Sequence, residues 1–149
     1  MFLYYLFLTH IIYITNAAVD IKGLTKAELA ELEQKTMTEC LKKHSVNETL
    51  LSEFLNEETS ESTSKEFKCV LGCYTEEMGY GKDKKPQWDV MEEVHKIEYD
   101  NDEDKEKALK IVKTCKTIVP EEVEDSCELG FAMHSCYLDQ SKKVGLLLV

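Results

Sequence analysis

FKCVLGCY, residues 67–74, is a short apolar segment that carries Cys69 and Cys73. Phe67, Val70, Leu71, Tyr74 and Met78 recur at three- and four-residue steps, the spacing of one buried helix face. Gly79 or Gly81 would end that helix, because glycine enters the left-handed cap conformation without strain. Cys69 and Cys73 then lie one turn apart on a single face, with Cβ atoms about 5–6 Å apart. A disulfide needs about 3.5–4.5 Å. The two cysteines are therefore expected to bond to different partners, tying this helix to the fold on two sides.

The flanking sequence has the same helical periodicity. Leu29, Leu32, Cys40 and Leu41 mark a first helix from about Thr25 to Lys43. Ser45 and Glu48 fit a capping box for a second helix, which would bury Leu51, Phe54 and Leu55. The polar stretch 57–64 is expected to be a loop. Pro86 suits the first position of a fourth helix, with Trp88, Met91, Val94 and Ile97 inward. Ala108, Ile111, Val112, Cys115 and Ile118 stripe a fifth. Asp100-Asn-Asp102-Glu-Asp104 forms its acidic first turn. The same run opens like a calcium loop, but Lys105 stands where that loop needs glycine and Ile111 where it needs glutamate. Pro120 ends the fifth helix, and a sixth runs from about Val123 to Gln140. Its middle, Leu129 to Met133, is too apolar for a one-faced surface helix. The expected fold class is all-α, a bundle of six helices.

The chain has six cysteines: Cys40, Cys69, Cys73, Cys115, Cys127 and Cys136. Residues 1–17 contain no Asp, Glu, Lys or Arg, and small residues follow at Ala17 and Ala18. This reads as a secretory signal peptide, leaving one domain over residues 18–149. A secreted, extracellular location and an even cysteine count predict three disulfides. Cys127 and Cys136 would lie about 13 Å apart along one helix and so cannot pair. The two exclusions leave ten of the fifteen ways of pairing six cysteines open. Cys69 and Cys73 resemble half a zinc site, but no second Cys or His pair completes it, so neither metal nor other cofactor is expected. The net charge of −11 opposes binding to nucleic acid and to anionic lipid surfaces. No segment after the leader is apolar enough for membrane insertion. The sequence contains no Gly-rich phosphate loop and no Gly-x-Ser-x-Gly elbow, and no histidine is paired with a thiol nucleophile, so no enzyme is expected.

The intervals Cys40-x28-Cys69-x3-Cys73-x41-Cys115-x11-Cys127-x8-Cys136 resemble the six-cysteine signature of insect odorant-binding proteins, the pheromone and general odorant-binding family. The resemblance covers essentially all of residues 18–149. It implies a disulfide-stapled six-helix bundle around a hydrophobic pocket, with pairs Cys40–Cys73, Cys69–Cys127 and Cys115–Cys136. That pairing is among the ten left open. It also implies a carrier of small hydrophobic odorants or pheromones, with an olfactory receptor and a homodimer as its protein associations. A secreted carrier or scavenger outside olfaction has the same signature. A helical signalling or structural protein with a solid core is the third reading.

Inward residues proposed for the pocket are Val70, Leu71, Tyr74, Trp88, Met91, Val94, Leu109, Val112, Phe131, Met133, His134 and Leu147. Taken singly, each also suits plain core packing. Leu146, Leu147 and Leu148 form an apolar tail that suits a lid or pocket wall. His44, His95 and His134 are positioned by type to titrate near pH 6. Asn47-Glu-Thr49 is a glycosylation sequon.

Overall fold

The computed structural model describes Val19, residues 21–55 and residues 64–146. Residues 1–17, expected to be a signal peptide, most of the 57–64 stretch, the side chains of Phe54 and Leu55, and Leu147 and Leu148 lie outside the described residues. Among the described residues the fold is all-α, with six helices and one short hairpin. In chain order these are α1 (Lys26–Lys43), α2 (Glu48–Leu55), α3 (Lys65–Glu77), β1 (Gly81–Lys82), β2 (Lys85–Pro86), α4 (Trp88–Glu98), α5 (Asp102–Ile118) and α6 (Ser126–Val144).

Side-chain caps start most of these helices, each satisfying a backbone N–H that has no partner within the helix. Thr25 and Glu28 form a reciprocal capping box on α1. Ser64 caps α3, Asn101 caps α5 and Asp125 caps α6. The expectation for α2 needs correcting: Ser45 is not its cap. Ser45 has φ 55° and sits just beyond α1, where Ser45 N–H donates to Lys42 O and Val46 N–H to Leu41 O. That pair of bonds is a Schellman ending. Asn47 starts α2 instead, its Oδ1 accepting from Thr49 N–H at 2.9 Å. Asn47, the sequon residue, is thus also a helix cap.

Pro86 likewise belongs to β2 and not to a helix start; α4 begins at Trp88, after Gln87. The hairpin turns through Asp83 (φ 51°) and Lys84 (φ 63°). Two consecutive positive φ values give the type I′ turn that matches strand twist. The sixth helix starts and ends later than its apolar pattern indicates. Gly145 (φ 65°) closes it, and Leu146 N–H donates back to Ser141 O. Leu146 is buried in the core immediately after that turn.

The three disulfides join Cys40 to Cys73, Cys69 to Cys127 and Cys115 to Cys136, the same pairs that the resemblance implies. They connect α1 to α3, α3 to α6, and α5 to α6, so α3 and α6 form the spine of the molecule. These two helices also share the most extensive packing. Gly72 and Gly130 make that closeness possible. A Cβ on Gly130 would lie 2.2 Å from Gly72 N and 2.3 Å from Leu71 C. One on Gly72 would lie 2.4 Å from Ser126 O. The backbones touch, and the Cα atoms of Cys69 and Cys127 are only 4.1 Å apart.

Among the described residues, no helix is long and apolar enough to cross a membrane. The core is built around Leu29, Val70, Met78, Val94, Ile111, Val112 and Leu129, all essentially inaccessible.

Candidate functional site

A cavity of about 130 Å³ lies where α1, α3, α4 and α6 meet. Its size is close to that of the engineered apolar cavity of roughly 150 Å³ that admits benzene in another protein. Met91 and Val94 on α4, and Met133 and Leu138 on α6, supply the apolar wall. The remaining wall is unexpectedly polar. Glu33 enters from α1, Tyr74 and Thr75 from α3, and Tyr80 from the start of the hairpin. His95, Glu98 and Tyr99 come from the end of α4, and His134 and Tyr137 from α6.

These polar groups form two linked networks. Tyr80 donates its phenol proton to Glu33 Oε1 at 2.6 Å. Burial pushes the Glu33 carboxyl above its ordinary range, the Tyr80 bond opposes that, and the Glu98 charge adds to it. In the second network Glu98 meets His95 Nδ1, and His95 Nε2 lies 2.7 Å from Tyr137 Oη. Burial raises the phenols of Tyr74, Tyr80 and Tyr137 well above the usual tyrosine value, and that of Tyr99 to about 12. All four stay protonated donors. In the neutral imidazole Tyr137 donates to Nε2 and Nδ1–H donates to Glu98, giving a directed relay towards the carboxylate.

The rings are arranged edge to face around the space. Tyr74 and Tyr80 have centroids 5.9 Å apart in a T-shaped pair, and Tyr74 lies 5.5 Å from His134. Outside the cavity, an outer groove of about 300 Å³ runs along α1 past Lys26, Leu29, Ala30, Gln34 and Met37. Glu33, Tyr74 and Glu98 line both spaces. They therefore stand at the threshold between groove and cavity.

Of the residues proposed from sequence for the pocket, the structure brings Tyr74, Met91, Val94, Met133 and His134 together around this cavity. Val70, Leu71 and Val112 are fully buried in helix packing elsewhere. Trp88 is half-buried at the start of α4, outside the cavity lining. Leu109 is half-buried on α5, and Phe131 lies under the Lys68 ammonium, 4.6 Å from its ring centroid. Leu147 lies outside the described residues. Of the histidines, His95 and His134 face the cavity and His44 lies at the end of α1. Glu33, Tyr80, Glu98, Tyr99 and Tyr137 line the site although nothing in an apolar-stripe reading selects them. The missed signal was titratable residues sharing inward helix positions with apolar ones, such as His95 and Glu98 beside Met91 and Val94 along α4.

His134 has a distinctive electrostatic position. Its Nε2 is 3.3 Å from Thr75 Oγ1, and burial lowers its pKa to about 4. An unfolded chain binds this proton near pH 6.5. The folded state thus holds the ring neutral, and its contribution to stability is complete above pH 6.5 and is lost as the pH falls towards 4. The loss is about 3 kcal/mol. Urea unfolding at pH 7.5 and pH 4 is expected to show the native protein losing about 3 kcal/mol more than His134→Gln. Glu33, whose raised pKa acts in the opposite direction, is present in both and cancels. Equal losses would mean that His134 is solvated.

Among solved structures, the odorant-binding protein OBP28a from Drosophila melanogaster superposes with a TM-score of 0.64 at 24% identity, covering 82% of this chain and 99% of its own. At that identity the match establishes the shared fold. Comparison with curated proteins gives no significant match. The profile of the PBP/GOBP family matches residues 23–140, from the turn before α1 into the last helix and across all six bonded cysteines, and the chain belongs to that family.

Proposed function

We propose that the protein is a secreted carrier of small organic molecules, cleaved near Ala17, that holds its cargo in the cavity between α1, α3, α4 and α6 without transforming it. The observation that carries this reading is the cavity itself: a benzene-sized space braced by disulfides, with apolar residues on one wall. Family membership supports it, and odorants of about one ring are the class that fits. A void in a small domain forfeits packing energy, at roughly 24 cal/mol per Å³ in one well-studied series, and cross-links offset such a loss. A space without a use would be an odd feature to retain.

Burying about eight to ten carbons offers roughly 6–8 kcal/mol at ~0.8 per methylene, before ordering costs. Micromolar affinity follows. The test is displacement of a hydrophobic fluorescent probe by one-ring volatiles from the disulfide-bonded protein. Val94→Phe, which pushes a ring into the cavity, is expected to weaken displacement by about tenfold or more. Probe binding that is absent, or indifferent to Val94→Phe, would remove the cavity from the function.

A further inference from the structure

We propose that this cavity selects a small organic cation: a protonated amine on a one-ring or short-alkyl body, its ammonium held between Glu33 and Glu98 and its body directed at Met91, Val94 and Met133. The proposal rests on the carrier reading above and names the chemical class of the cargo.

Three observations lead to it. First, Glu33 and Glu98 line both the cavity and the outer groove, so any occupant entering from the groove meets both. Second, the protein supplies only one nitrogen base to the two carboxylates, His95 at Glu98, and no counter-charge to Glu33 among the described residues. Glu33 accepts from Tyr80 and has no ion-pair partner among the described residues. Glu98 accepts from His95 Nδ1–H, while in the neutral imidazole His95 Nε2 accepts from Tyr137, so that form of the ring leaves the carboxylate its negative charge. Lys26, the basic side chain on the groove, is occupied by Asp100 at 2.9 Å. Burial raises the Glu33 pKa, as expected for a carboxyl lacking a counter-charge. Third, Tyr74 and Tyr80 line the cavity beside Glu33, and aromatic rings attract cations through the ring quadrupole.

A neutral apolar guest would strip water from both carboxylates and return nothing for it. An anion would be repelled by them. An ammonium replaces the lost water with charge-assisted hydrogen bonds, which are stronger than neutral ones. The net charge of −11 also raises the local concentration of cations around the molecule.

The isosteric pair 2-phenylethylamine and 2-phenylethanol separates the cation from its body. Calorimetric titration of both into the disulfide-bonded protein at pH 7.5 is expected to show the amine binding at least about tenfold tighter. Glu33→Gln retains an acceptor for Tyr80 and is expected to weaken the amine about tenfold while leaving the alcohol within about twofold. Glu98→Gln is the second variant, with the same expected split, and it carries the test if circular dichroism shows Glu33→Gln unfolded. Alcohol binding as tight as amine binding, or amine binding untouched by the folded variants, would overturn the cation assignment and leave the carrier reading standing. Failure of both ligands, together with failure of the probe to bind, would overturn the carrier reading and this inference with it.

Discussion

Removing the Cys69–Cys127 bond by the double substitution C69S/C127S is expected to lower unfolding free energy by about 4 kcal/mol. The bond closes a loop of 58 residues, against 33 for Cys40–Cys73 and 21 for Cys115–Cys136. On the loop-entropy account the longest loop restricts the unfolded chain most, and the other two bonds are worth about 3–4 kcal/mol each. Urea unfolding under non-oxidising-exchange conditions measures the difference. The loss should reach the cavity, because α3 brings Tyr74 and Thr75 to it and α6 brings Met133 and His134. A loss below about 1 kcal/mol would show that the unfolded chain is held compact by other means.

Gly130→Ala is expected to cost about 3 kcal/mol or more, near the upper end for overpacking. The added methyl would meet backbone and not the flexible end of a side chain: Gly72 N, Leu71 C and Gly72 Cα all lie within 2.6 Å of it. Backbone atoms in two packed helices cannot move aside singly, so α3 and α6 must separate as units. The Cys69–Cys127 bond resists that separation. Gly72→Ala should behave similarly, and the two substitutions should not add, since each relieves the contact that the other strains. Thermal unfolding of the three variants provides the check. Alanine accepted at Gly130 within about 1 kcal/mol would place the helices farther apart than described.

The two predictions concern one structural unit. Cys69-Val-Leu-Gly72 on α3 faces Cys127-Glu-Leu-Gly130 on α6, a cysteine and a glycine one turn apart on each helix. The covalent bond and the glycine contact fall on the same seam. The apolar middle of the sixth helix, too apolar for a one-faced surface helix, largely serves this seam. Leu129 is fully buried in the core, Gly130 touches backbone, and Phe131 packs beneath Lys68. Met133 and His134, one turn further along, are the residues that reach the cavity.

The helix count, the start of α1 at Thr25 and the acidic first turn of α5 were legible because they depend on local chemistry. Thr25, Asn101 and Asp125 cap their helices through bonds to residues three positions away. The apolar spacing needs no knowledge of neighbours either. Ser45 was misread for the same reason: its type suits a cap, while its left-handed backbone is imposed by the Schellman turn that ends α1. Pro86 is compatible with both a helix start and an edge strand, and the Asp83-Lys84 turn chose the strand.

By itself the sequence determined that the chain is helical, that Cys69 and Cys73 must bond elsewhere, and that the bundle is cross-linked. Periodicity and reach along a helix are properties of short segments, and short segments suffice to specify them. Only the tertiary structure decided what lines the hollow. Glu33 and Tyr80 are 47 residues apart, and His95 and Tyr137 are 42 apart, yet each pair is within hydrogen-bonding distance. Whether a tyrosine or glutamate faces solvent or a cavity depends on how helices distant in sequence are rotated against one another. That rotation is a property of packed pairs, such as α3 and α6 meeting at Gly72 and Gly130, and not of any one helix alone.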